Sequence, residues 1–407
     1  MKLHVDHMPG TGSVACGLFL PVGAVTEHAD QQGLSHFLEH LIFKGSKKRS
    51  AKDIAIEIDG TGGDLNAYTS VELTSFYGKV LHDDLELVMD ILFDIAYNPI
   101  LENDAIELER GVVLSEIAEF MDAPDEIASV RAFQAAWGDD PLARSVLGSV
   151  DVIKTVTSEK IKKYHKAHYV PEETVISVCG NTTFDEMALK CQKFGIKVEP
   201  LDGTSKIVEI APEFKPRKMA MERDSEQVYF TYCWPGPKIS SQEIAECLVL
   251  MTILCGSISS RLFQRLREQE GLVYNIATLS SFSKSTGLLG IYGAVPKENF
   301  TKSRDILLFE LDQFRKDGVS HDELERAKRM IKGSTKLSME SNTARMDRNG
   351  KLALLLSEVP GIDQVIGRVM DLKLGYINEY INNTVPEDFA VSLVGKGMEG
   401  LEGFECE

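Results

Sequence analysis

His36-Phe37-Leu38-Glu39-His40 sets two imidazoles and a carboxylate on neighbouring positions of an apolar segment that also holds Leu34, Leu41, Ile42 and Phe43. On a helix, residues four apart lie one above the other. The rings of His36 and His40 can therefore aim nitrogens at one point while Glu39 reaches the same region. Two nitrogen donors and a carboxylate base are the working parts of a catalytic zinc helix, here in the inverted order H-x-x-E-H. The bland alternative is a buried helix whose histidines are satisfied by their neighbours, and five residues alone leave both readings open.

A catalytic zinc takes three protein ligands and keeps one position for water, so a third ligand must come from elsewhere in the chain. The spacing of Ile106, Val113, Leu114 and Ile117 predicts a helix over 101–122 that also carries Glu102, Glu107, Glu109, Glu116 and Glu119. Glu102, Glu107 and Glu119 read as solvated charges. Glu109 and Glu116 are seven apart on one face, and spacing does not choose between them.

These stretches, with Phe43-Lys44-Gly45, Gly62-Gly63-Asp64-Leu65-Asn66-Ala67-Tyr68-Thr69 and Glu107-Leu108-Glu109-Arg110-Gly111-Val112-Val113-Leu114-Ser115-Glu116, closely resemble the inverted-zincin metallopeptidases. That family includes pitrilysin, insulin-degrading enzyme and the mitochondrial processing peptidase, and the likeness covers essentially the whole chain, nearest to the short two-domain bacterial type. It implies one zinc per chain held by His36, His40 and Glu116, with Glu109 supporting the site and Glu39 as general base. In the second half, Ser259-Ser260-Arg261-Leu262-Phe263-Gln264-Arg265-Leu266-Arg267 leads into Gly271-Leu272-Val273-Tyr274. The family uses an arginine and a tyrosine seven residues apart here. Arg267 and Tyr274 match them, and the Tyr274 hydroxyl is expected to stabilise an oxyanion. Arg261 and Arg265 read as ordinary solvated charges. Carrying both the zinc motif and this pair in one chain favours a self-sufficient homodimer.

The net charge of −18 disfavours nucleic acid, whose phosphates require Lys and Arg to neutralise them, and favours peptides rich in basic residues. No apolar run reaches membrane-spanning length, and Met1-Lys2-Leu3-His4-Val5-Asp6-His7 has neither a signal-peptide core nor transit character, so a cytoplasmic protein is expected. Seven cysteines without a C-x-x-C pair read as reduced, mostly buried small hydrophobes. His165 and His168 lie on a basic helix without an acidic or cysteine partner nearby, and are not expected to bind metal.

Internal echoes organise the chain. Asp90-Ile91-Leu92 returns as Asp305-Ile306-Leu307, Glu107-Leu108-Glu109-Arg110 as Glu323-Leu324-Glu325-Arg326, and Val170-Pro171-Glu172 through Gly180 as Val385-Pro386-Glu387 through Gly395, all offset by 215 or 216 residues. A constant offset in constant order predicts a duplicated domain, the second copy lacking H-x-x-E-H. The expected division is a zinc-binding domain at 1–197, a linker at 198–217 rich in Pro, Gly and charge, and a homologous domain at 218–407. Each half reads as α+β: strands at 14–22, 65–69 and 73–81, the zinc helix, a helix from Ala51 and helices from Asp83, with sheets of antiparallel type. The resemblance implies that the halves enclose a chamber for short or unfolded polypeptides.

Gly62-Gly63 before Asp64-Leu65-Asn66-Ala67-Tyr68 suits an edge strand to which an extended peptide could add. Asn66 and Ala67 are the candidate substrate-binding residues, although Asn66 reads equally well as a turn-capping amide. The expected activity is zinc-dependent endopeptidase. The rival readings are a processing subunit that needs a partner chain and a non-catalytic interaction subunit.

Overall fold

A computed structural model describes residues 1–201, 211–356, 358–398, 401 and 403–406. In the first half, strands β1 (Lys2–His7), β2 (Ser13–Leu20), β3 (Asp64–Thr69), β4 (Thr74–Leu81), β5 (Val175–Gly180) and β6 (Glu199–Pro200) alternate with helices α1 (Leu34–Ile42), α2 (Ala51–Thr61), α3 (Leu85–Tyr97), α4 (Asn103–Met121), α5 (Pro124–Trp137), α6 (Val150–Thr155), α7 (Ser158–His168) and α8 (Phe184–Lys193). The second half holds β7 (Lys218–Glu222), β8 (Gln227–Gly236), β9 (Ile276–Phe282), β10 (Gly287–Pro296), β11 (Ala390–Gly395) and β12 (Glu405–Cys406). Its helices are α9 (Ile244–Leu254), α10 (Phe300–Asp317), α11 (His321–Ser338), α12 (Asn342–Leu355), α13 (Ile362–Asp371) and α14 (Leu374–Thr384).

The two six-stranded sheets have the same plan. One runs β3-β4-β2-β5-β1-β6 and the other β9-β10-β8-β11-β7-β12. In each, the first three pairings are antiparallel and the last two parallel. The order, the sense of every pairing and the 215-residue offset between β5 and β11 agree with duplication. The sheets are mixed and not wholly antiparallel. A long crossover brings β5 between β2 and β1, where all six of its residues are buried and it must run parallel to β1. Val175-Ile176-Ser177-Val178-Cys179-Gly180 accordingly shows no polar alternation. Of the expected linker, residues 202–210 lie outside the described residues, and Glu199–Pro200 pairs with β1.

The compact units are not contiguous in sequence. One gathers the described residues of 1–118, 144–207 and 338–359, the other those of 119–143, 208–337 and 360–407. Helix α12, from the second half of the chain, therefore packs on β2, β5 and β1, while α5, from the first half, packs on β8 and β11. Small residues allow the first contact: a Cβ on Gly350 would fall 2.1 Å from the Phe19 ring, and one on Gly17 would fall 2.6 Å from Met346 Sδ. Polar ties fix it. Ser177 donates to the Met346 carbonyl (2.8 Å), Asn342 to Ser13, and Arg345 and Asn349 to Asp6.

The core that carries α1 is apolar and closed. Leu34, Phe37, Leu38, Leu41 and Ile42 of α1 are at most 1 % exposed and join Leu18, Leu20, Phe76, Val88 and Leu92 in one cluster. Each such side chain contributes roughly 1.5–3 kcal/mol of burial.

Candidate active site

Helix α1 begins where Gly33 takes a left-handed φ of +93°, a conformation reserved by sterics for glycine. Its first N–H groups are capped from a distance in sequence. The Glu27 carboxylate, 4 % exposed, accepts from the N–H of Gly33 (2.8 Å) and of Ser35 (2.8 Å). A carboxylate at a helix N-terminus also opposes the positive end of the macrodipole. Burial pushes the Glu27 carboxyl up, and the Ser35 and Gly33 donors pull it back. Tyr164 of α7 bonds both Ser35 and Thr26 (2.9 Å each), so the start of the helix is fixed from two sides.

On the opposite face from the core, α1 presents His36, Glu39 and His40, and α4 presents Glu109 and Glu116. The structure brings all five together. Glu116 Oε2 lies 3.6 Å from His36 Nε2 and 3.5 Å from His40 Nε2, and the His36 and His40 rings meet edge to face at 4.7 Å. Glu116 Oε2 is buried and has no hydrogen-bond partner. Among the described residues, His36, His40 and Glu116 form the one group of three or more His, Cys, Asp or Glu whose donor atoms lie within 4.8 Å of one another.

The donor set fits a zinc ion. Ligands at ~2.0–2.1 Å around a tetrahedral ion stand roughly 3.3–3.5 Å apart, close to the separations seen. Burial and the nearby His40 hold the His36 imidazole down to about 4, so at neutral pH it is an uncharged ring with a free lone pair. His40 Nδ1 meets Glu109 Oε2 at 3.2 Å, where a carboxylate oxygen only accepts and the ring nitrogen donates, and this orientation turns Nε2 toward Glu116. Glu109 is 3 % exposed, and its other oxygen meets Lys44 Nζ at 2.5 Å. Glu109 and Glu116, indistinguishable by spacing, thus address opposite edges of the His40 ring.

Glu39 lies beside this group. Burial raises its carboxyl, while Thr69 and His40 lower it and Glu116 adds to the rise. Its Oε2 accepts from the Thr69 hydroxyl at 2.5 Å. Thr69 ends β3, the end strand of its sheet, on which α1 packs. Asn66 is exposed on the same strand, its Oδ1 taken by the Ala67 N–H (2.8 Å), and Ala67 rests against the core.

Residues 3–150, which contain α1 and α4, match the insulinase family of peptidases, family M16. Residues 155–331 match the inactive domain of the same family. A Bacillus subtilis (strain 168) protein, the uncharacterized zinc protease YmxG, is 32 % identical over 394 residues, covering 97 % of this chain and 96 % of its own. An uncharacterized zinc protease of Mycobacterium leprae is 31 % identical over 403 residues, covering 97 % and 89 %. The chain belongs to peptidase family M16. The fold is also that of a solved protease from Helicobacter pylori (TM-score 0.86, 20 % identity, 97 % and 96 % covered) and of a Pseudomonas fluorescens structure described as a peptidase M16 inactive domain (TM-score 0.85, 18 % identity, 97 % and 95 % covered).

In the M16 second half, the helix that follows β8 as α1 follows β2 is α9, and it carries no histidine. This agrees with a metal motif present in one copy only. The same half places Arg267 on a π-helical turn (Phe263–Gln269), a rare geometry found often at functional sites. The Arg267 guanidinium lies over the Tyr274 ring at 5.3 Å and over Phe263 at 4.7 Å. Tyr274 is 82 % exposed. Arg261 is held by Glu323 and Arg265 by Glu270 and Glu310, so those two arginines are engaged in structural pairs. His165 Nε2 is likewise engaged, with the Ala96 carbonyl (2.8 Å). No described helix is long and apolar enough to cross a membrane.

Sequence reasoning assigned no part to Glu27, Lys44 and Thr69. Lys44 carried a signal, four positions beyond His40, where one helical turn brings it to the same carboxylate. Glu27 and Thr69 carried none, because both reach α1 through the tertiary fold.

Proposed function

We propose that this chain is a zinc-dependent endopeptidase that hydrolyses short or unfolded peptides, with Glu39 as general base. The observation that carries the reading is the convergence of His36 Nε2, His40 Nε2 and the unpartnered Glu116 Oε2 beside the Glu39 carboxylate. His36, His40 and Glu116 would hold the ion. Zinc, when bound, supplies a Lewis acid that acidifies a water and polarises a carbonyl. Glu109 keeps Nδ1 of His40 protonated and the ring oriented, as supporting carboxylates do at metal sites. Glu39 takes the proton of the attacking water and returns it to the departing amine.

An extended peptide would add to β3, using main-chain hydrogen bonds that ignore side-chain identity. The Asn66 amide and the small Ala67 would border it. The reading gives the Tyr274 hydroxyl the part of stabilising the developing oxyanion, with Arg267 ordering its ring, on the strength of the sequence resemblance and their stacking. It further takes the protein to be a self-sufficient cytoplasmic homodimer acting on basic peptides, the last motivated by the net charge of −18. Cleavage without salt dependence or basic preference would remove that last element.

The test is cleavage of a mixed library of unstructured peptides by the wild-type chain and by Glu39→Gln, with zinc content measured for both. Cutting by wild type alone, with zinc in both, is expected. Zinc without cutting would point instead to a partner-dependent or non-catalytic subunit. In the same assay Glu116→Gln should lose zinc more readily than Glu109→Gln, and the reverse order would exchange their roles.

A further inference from the structure

The Thr69 hydroxyl occupies a place that hydrogen counting makes informative. Four acceptor oxygens crowd the end of β3: the Val22 carbonyl, Glu39 Oε2 and the hydroxyl oxygens of Thr69 and Thr74, the last two facing each other across the register pair Thr69↔Thr74 at 3.3 Å. Thr74 has one hydrogen, and the Val22 carbonyl, which can only accept, lies 2.7 Å from it. That hydrogen is therefore committed, and the Thr69 hydrogen is left to point at Glu39 Oε2, 2.5 Å away. A hydroxyl donating to a carboxylate at this distance is a charge-assisted bond, stronger than a neutral one.

The donor itself is rigid. The turn after Thr69 is closed by Ser70 and Leu73 (Ser70 N–H to the Leu73 carbonyl, 2.8 Å; Leu73 N–H to Ser70 Oγ, 3.2 Å). It is tied to the loop before α1 by the Val25 N–H to the Val71 carbonyl (3.0 Å). A Cβ on Gly23 would strike the Ser70 carbonyl at 2.4 Å, so loop and turn are in backbone contact. A glutamate side chain has three rotors, and the Thr69 hydroxyl and backbone N–H, both bonded to the Glu39 carboxyl on one fixed residue, select one orientation.

From this geometry we infer that Thr69 is a positioning residue for Glu39, locking the base to the same strand on whose edge a peptide would be laid. The inference rests on the endopeptidase reading. Substrate main chain and proton acceptor then share one rigid element, β3, and the distance between them is set by the strand and not by a free side chain. Misplacement of a catalytic group by about 1 Å can cost on the order of 10²-fold in rate.

The experiment uses the full-length zinc-loaded chain and an internally quenched form of the library peptide cut fastest by wild type. Thr69→Val keeps the shape and removes the hydroxyl, Thr69→Ala removes it without bulk, and Thr69→Ser restores it. Both Val and Ala variants should lose about 10–100-fold in kcat by the same factor, with KM and zinc content unchanged, and Ser should stay within about threefold of wild type. Wild-type kcat in the Val and Ala variants, while Glu39→Gln is inactive, would overturn the role of Thr69 and leave the endopeptidase reading standing. A fall in zinc content, or a rise in KM parallel to the fall in kcat, would overturn it in favour of a structural role. Turnover by Glu39→Gln would mean that Glu39 is not the base, and would overturn the role of Thr69 with it.

Discussion

Gly350→Ala should destabilise the first unit, although the same change in an open helix stabilises. Alanine in a helix interior is favoured over glycine by about 0.8–1.0 kcal/mol. At Gly350, in the middle of α12, the added Cβ would lie 2.1 Å from Phe19 Cε2 and 2.4 Å from Cδ2 and Cζ. The optimum for such contacts is roughly 3.5–4.0 Å, so the ring edge must retreat by more than ~1 Å. Phe19 is 0 % exposed on a central strand, and overpacking of this kind costs about 1–3 kcal/mol, occasionally more. With the overlap at the severe end, the net expectation is a loss of about 2 kcal/mol. For an m-value of roughly 2 kcal/mol/M, the urea midpoint falls by about 1 M.

Gly111→Ala is the control, since Gly111 lies within α4 of the same unit and has nothing within 4 Å of an added Cβ. It should gain about 1 kcal/mol. Both tryptophans, Trp137 and Trp234, belong to the second unit, whereas Cys16 and Cys179, each 0 % exposed, belong to the first. Pulsed thiol labelling of those two cysteines during urea unfolding therefore reports the unit under test, and tryptophan fluorescence reports the other. A Gly350→Ala midpoint that moves upward with Gly111→Ala would refute the seating of α12 on β2, and with it the exchange of helices.

Lys44→Met removes the only ammonium within ion-pair distance of Glu109 among the described residues, and should weaken zinc binding about 10–100-fold in a chelator competition, with Lys44→Arg less affected; equal affinities would deny Lys44 this part. Acid should expose a second feature. Burial raises the Glu323 carboxyl, but Arg261, which bonds it through Nε (2.6 Å) and Nη2 (2.9 Å), and the Ser320 donors overcome this and hold it down to about 2. A carboxyl depressed in the folded state stabilises fully above its unfolded value near 4.5, and that contribution is lost as pH falls from there toward 2. Allowing for solvent screening, the contribution is about 2–3 kcal/mol. Tryptophan-detected stability should drop more steeply between pH 5 and pH 3 in wild type than in Glu323→Gln, and parallel curves would count against it.

The metal motif was legible because it is local. Helical geometry alone stacks His36 above His40 and places Glu39 beside them, whatever the rest of the chain does. The duplication was legible because copies keep their offset, and β5 and β11 stand 215 residues apart in matching sheets. Strand and helix positions followed from periodicity to within a few residues: 65–69 became Asp64–Thr69, and 101–122 became Asn103–Met121.

Other features depend on which surfaces meet. Glu109 and Glu116 share one face of α4 by spacing, yet only the docking of α4 on α1 sends one to Nδ1 and the other to Nε2 of His40. The parallel pairing of β5 with β1, the capping of α1 by Glu27, the bond from Thr69 to Glu39 and the exchange of α5 and α12 were decided in the same way. A residue's own neighbours in sequence determine its periodicity and its helical or extended state. Its partners across the fold are chosen when sheets close and helices find grooves small enough to fit, as Gly17 and Gly350 show, and no spacing within one element records that choice.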